Sequence, residues 1–73
     1  MTENKIILKK VTTEEKKVLL LLDKLGKCLY GNIFKELKIA PSKGAEIILL
    51  LKNKGFIKNV NRTSYYELDG NIV

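Results

Sequence analysis

Apolar positions along this 73-residue chain fall at helical spacing in three stretches and at strand spacing in a fourth. Between Thr13 and Leu25, residues Val18, Leu21, Leu22 and Leu25 recur at the three-to-four interval of one helix face. Leu19 sits at its margin, and Leu20 lies nearly opposite, among Lys16, Asp23 and Lys24. Thr12 with Glu15 three residues on has the spacing of a capping box, and Gly26 suits the position that closes a helix. A shorter helix is expected over Tyr30–Leu37, with Ile33, Phe34 and Leu37 inward and Lys35 and Lys38 outward. Residues 27–30 read as an extended link between the two. The third helix is expected over 41–54. Pro41 fits its first position, Gly55 the position just past its end, and Gly44, Ile48 and Leu51 share one stripe. Ser42, Lys43, Ala45, Glu46 and Asn53 then face outward. Residues 38–40 form the turn before this helix, with Ile39 plugging the space between its neighbours.

After Gly55 the period changes to two. Strands are expected over 56–60 and Tyr65–Leu68, with Tyr66 and Leu68 on one face and Tyr65 and Glu67 on the other. The polar loop 61–64 joins them and carries Arg62 at its tip. At the other end of the chain, 5–11 reads as a short edge strand paired with this hairpin, because β-branched residues dominate it. Residues 1–4 and 70–73 are expected to be flexible, with a turn at Gly70 and Asn71. The pattern predicts an α+β, mainly helical fold: three helices, a C-terminal two-stranded β-hairpin wing and a short N-terminal strand. This is a winged helix-turn-helix in one domain, 1–73, with its core over about 12–69.

Composition narrows the function. The chain is 45% hydrophobic and 30% charged, which is globular rather than disordered. Its longest apolar runs, 18–22 and 47–51, fall far short of the roughly 20 residues a membrane span needs. No signal-peptide pattern is present, so a cytoplasmic protein is expected. There is no histidine, and the single cysteine, Cys28, reads as a small core residue. The eight acidic residues look scattered over surface positions, and the glycines form no phosphate loop. An enzyme is not expected, nor a metal, cofactor, membrane or small-molecule ligand. The net charge of +6 is uneven. Residues 40–63 carry Lys43, Lys52, Lys54, Lys58 and Arg62 against Glu46 alone, whereas residues 64–73 carry only Glu67 and Asp69. A basic excess over a helix and hairpin is the footprint expected of a face that binds nucleic acid.

The segment YGNIFKELKIAPSKGAEIILLLKNKGFI, followed by a hairpin ending in YYEL, resembles the winged helix-turn-helix domains of MarR-like and PadR-like repressors. It is also similar to the very small regulators of archaea and their viruses. The resemblance covers residues 12–69. It implies a β-hairpin wing, a third helix in the major groove of double-stranded DNA, and a homodimer.

On that basis Ser42 and Lys43, in the first turn of the third helix, are candidates for base and phosphate contact. Glu46 either accepts from a cytosine amino group or pairs with Lys43. Lys35 and Lys38 would touch phosphates, while Asn61, Arg62 and Thr63 would place the wing on the backbone or in the minor groove. Ile6, Ile7, Leu8 and Leu20 are the candidates for a dimer interface, since a core this small supplies only about 3–5 kcal/mol by itself. The competing reading is a module for protein–protein interaction that docks through Leu20, Leu49 and Leu50.

Overall fold

The computed structural model describes residues 5–72. Its elements in chain order are β1 (Lys5–Ile6), a 3-10 turn (Leu8–Lys10), α1 (Thr13–Leu25), β2 (Lys27–Leu29), α2 (Tyr30–Leu37), α3 (Pro41–Asn53), β3 (Ile57–Asn59), β4 (Tyr65–Leu68) and β5 (Asn71–Ile72). Three helices and a β3–β4 hairpin make the expected winged helix-turn-helix, and the bounds of α1, α2 and β4 are those read from the sequence.

The helix ends form for the reasons the residues suggest. Thr12 accepts from the Glu15 N–H at 3.2 Å while Glu15 accepts from the Thr12 N–H at 3.0 Å, so both halves of the capping box are made. Gly55 takes a φ of 78°, and beside it the Phe56 N–H reaches back to the Leu51 carbonyl at 3.0 Å. The last turn of α3 is thereby closed and the chain redirected into β3. Lys38 ends α2 in the left-handed conformation, where the Ile39 N–H donates to the Phe34 carbonyl. Ile39 is half-buried against the core, as its plug position requires.

The core is built from Ile6, Val18, Leu19, Leu22, Cys28, Ile33, Phe34, Ile47, Ile48, Leu51 and Ile57. It draws on every helix and on strands from both sheets. Gly44 is buried where α3 crosses α2, and a Cβ there would overlap the ring of Phe34. Glycine lets the two helices come this close. The Phe34 ring is itself held edge-on by Tyr30, with centroids 4.7 Å apart.

Several sequence expectations are corrected. Residues 27–30 are more than a link: β2 pairs antiparallel with β4, giving a three-stranded sheet in the order β2–β4–β3. The expected strand over 5–11 shrinks to Lys5–Ile6, and it pairs in parallel with β5 rather than with the hairpin. Asn71–Ile72 is therefore ordered in a strand, against the expected flexible tail; residues 1–4 and 73 lie outside the described residues. The buried stripe of α1 is also rotated. It runs Glu15, Val18, Leu19, Leu22, so Leu19 is fully buried, whereas Leu25, at the last position of the helix, is 50% exposed.

Glu15, at the head of that stripe, is a charged residue within the core. It is only 2% exposed, and a buried carboxylate requires a partner. Lys54, capping the C-terminus of α3, donates to both of its oxygens at 3.1 and 2.9 Å. Burial pushes the Glu15 carboxyl up, but the Thr12 N–H and the Lys54 ammonium outweigh it and hold the group below its ordinary value.

Two predictions arise from this packing. Gly44→Ala should destabilise the fold by about 1–3 kcal/mol, because overpacking against Phe34 exceeds the helix propensity gained. Urea unfolding measures it, and unchanged stability would mean that Phe34 moves aside freely. Lys54→Ala should cost about 1–3 kcal/mol, since it strands a buried carboxylate whose partner was itself partly exposed. The acid limb of stability should report the same pair. The depressed Glu15 value adds stability that is present above the unfolded carboxylate value, about 4.3, and is lost as pH falls below it. Glu15→Gln should flatten that acid limb in melts taken at successive pH values; an unaltered limb would assign the acid sensitivity elsewhere.

Candidate nucleic-acid interface

The buried side of α3, formed by Gly44, Ile47, Ile48 and Leu51, fixes what its other sides present. At 3.6 residues per turn the outward crest is Ser42, Glu46, Leu49 and Asn53. Each of these four is exposed, Leu49 by 57%. The flank beside α1 carries Lys43 and Leu50. The flank beside the sheet carries Ala45 and Lys52, which border a hollow of about 200 Å³ with Tyr30, Leu49 and Tyr66. Lys52 extends its ammonium over the Tyr66 ring, 5.8 Å from the centroid.

The wing is a stiff loop. Asn59 Nδ2 donates to the Thr63 and Tyr65 carbonyls at 2.6 and 3.0 Å. The Thr63 hydroxyl donates to the Val60 carbonyl at 2.6 Å and accepts from the Tyr65 N–H at 3.1 Å. At the tip, Asn61 and Arg62 take φ values of 42° and 62°, and both side chains are exposed. The base of the wing is pinned to the helices by a bond from the Tyr30 N–H to the Ser64 carbonyl at 2.8 Å.

The sequence candidates therefore separate. Arg62 and Asn61 stand free at the tip, but the Thr63 donor is used inside the loop, so Thr63 serves the wing's shape. Lys35 and Lys38 are exposed on α2 and at its end, without an ion pair among the described residues. Ser42 is exposed at the start of α3. Lys43 is tied to Glu14 of α1 at 3.7 Å and not to Glu46, which has no ion-pair partner among the described residues. Of the dimer candidates, Ile6 is fully buried in the core of its own chain and so is unavailable to a partner. Leu8 packs half-buried on that core, while Ile7 and Leu20 keep exposed surface.

The charge of residues 40–63 looks different once its partners are known. Lys43 faces Glu14, Lys54 is held by Glu15, and Lys58 lies 3.7 Å from Glu67 and 3.9 Å from Asp69. Within residues 40–63, the cations without a carboxylate among the described residues are Lys52 and Arg62. Neither Lys52, counted from the sequence only in the basic excess, nor Tyr66, placed only on a strand face, is among the contact candidates the sequence offers. The signal for Lys52 was its place seven residues after Ala45, on the same row of the helix. Cys28 is buried on β2, opposite Tyr66 of the neighbouring β4, and burial together with Glu36 pushes its thiol up, as suits an unreactive core side chain.

No protein-family model matches the chain, and no curated protein matches it. Among solved structures it is similar to the Zalpha domain of PKZ from Carassius auratus, determined in complex with Z-DNA. The two share 23% identity with a TM-score of 0.69 over 75% of this chain and 90% of that one. The likeness extends over most of both chains and establishes the same winged-helix fold.

Proposed function

We propose that this chain binds double-stranded DNA with the sheet-side flank and crest of α3 and the tip of the wing, as a regulator of transcription. The observation that carries this is the placement of its unpaired cations. Lys52 stands on the side of α3 nearest the wing and Arg62 at the wing tip, on a fold that the PKZ domain uses to hold a DNA duplex. Ser42 and Asn53 offer polar contacts to base edges, and Leu49 suits a thymine methyl group. Lys35 and Lys38 add phosphate contacts from α2. With two to four phosphates neutralised, affinity should fall with salt at a log–log slope of about −2 to −4.

A second reading has its own support. Leu49 and Leu50 are 57% and 44% exposed, an apolar pair where a groove-reading helix would carry polar groups, and this favours a docking module for another protein.

Fluorescence-anisotropy titration against duplexes held in the B and Z forms, at several salt concentrations, tests the proposal. Lys52→Ala and Arg62→Ala should each weaken binding severalfold and lower the salt slope by about 0.9. Lys58→Ala, whose ammonium is already engaged by carboxylates, should leave the slope nearly unchanged. A preference between the two duplex forms identifies the geometry recognised. Absence of salt-dependent binding to either form would overturn the proposal in favour of protein docking.

A further inference from the structure

A groove of about 350 Å³ runs between the N-terminus of α1 and the outer flank of α3, on the side away from the wing. Its floor is Ile47 and Leu50, and its rim carries Glu14, Glu15, Lys43 and Glu46. Glu14 and Glu15 already face lysines of their own chain, which leaves Glu46 as the rim carboxylate without an ion pair among the described residues. The groove thus offers an apolar floor, an exposed leucine and one unpaired acid.

The same molecule presents the complementary surface. The outward crest of α1 has Leu20, 44% exposed, at its centre. Lys16, Lys17, Asp23 and Lys24 stand one turn to either side, and the three lysines have no ion pair among the described residues. This is a leucine ringed by cations, opposite in charge to a leucine beside Glu46. Two such crests facing each other about a two-fold axis would gather six lysines and two aspartates around one leucine pair. Lys17 would then meet Asp23, but Lys16 would stand against Lys24 and both crests carry a net positive charge, which disfavours a symmetric α1–α1 dimer relative to a contact with the acidic groove.

We propose that copies of this chain associate head to tail, the Leu20 crest of α1 on one copy seating in the α1–α3 groove of the next. Crest and groove are different surfaces, so the contact is heterologous: each copy can use both at once, and copies add one after another into a chain or a ring. Glu46, at the edge of the α3 crest, is taken up by this contact, whereas the wing, Arg62 and Lys52 stay outside it. Successive copies would therefore present their free cations along a single line, and a weak contact would become cooperative when a polyanion holds the copies close. The association itself does not rest on the DNA reading.

Sedimentation velocity of the full chain without nucleic acid, from micromolar to millimolar concentration, tests it. The mean mass of the wild type should rise past that of a dimer and fall back when salt is added. Leu20→Lys and Leu50→Lys alter exposed side chains and should each give a folded monomer by circular dichroism. Mixed in equal amounts, they should form a dimer and nothing larger, because only one intact crest and one intact groove remain. Glu46→Lys, which touches no core residue, should also be monomeric and serves if Leu50→Lys fails to fold. A wild-type monomer throughout, a mixture that stays monomeric, or a dimer that stops at two and ignores both groove variants would overturn the proposal.

Discussion

The buried carboxylate of Glu15 is the constraint on which the rest of the molecule depends. One side chain completes the capping box of α1, holds the ammonium of the residue that ends α3, and lies on the face of α1 that turns inward. Lys54 immediately precedes Gly55, so the same contact fixes where α3 stops and where the strand leading to the wing begins. The end of α3, from which the chain turns towards the wing, is thus fastened to the start of α1 by an ion pair with its carboxylate in the core. A hydrophobic contact at this position would pack as well, but would not anchor the last residue before the turn.

That arrangement has a cost for the surface. Cations that appear available to a polyanion in the sequence are committed within the fold: Lys54 to the core, Lys43 to α1, Lys58 to the sheet. On α3 and the wing this leaves Lys52 and Arg62 without an ion pair among the described residues, beside a crest that is polar at its ends and apolar at Leu49. Such a surface relies on shape and a few well-placed contacts more than on a strong field.

Much of the fold was legible in the residues because local rules agree with the tertiary structure. The capping box, Pro41, Gly55 and the change of period at Phe56 each act within a few residues and place α1, α3 and the wing, while the spacing of Ile33, Phe34 and Leu37 places α2. The rest depends on partners distant in sequence. β2 exists because Cys28 meets Tyr66, and β1 because Lys5 and Ile6 meet Asn71 and Ile72; no local signal distinguishes these from extended links and tails. Burial of Glu15 was concealed because its capping role was satisfied locally, while its second partner stands 39 residues away. The candidate site was legible as an element, α3 with its wing, but not residue by residue. Lys43 and Thr63 are drawn off by Glu14 and by the loop itself, and Lys52 gains its place only through Tyr66.

The pairing of β1 with β5 has a mechanical consequence. The strands are parallel, with Lys5 opposite Asn71 and Ile6 opposite Ile72. Tension drawing Lys5 and Ile72 apart acts along the strands in opposite directions, so it loads their hydrogen bonds together in shear and does not peel them open one at a time. Ile6 is sunk in the core, and the pull must extract it before it reaches α1. The short sheet is thus a clasp, and force carried through the chain meets it before any of the helices that hold the wing.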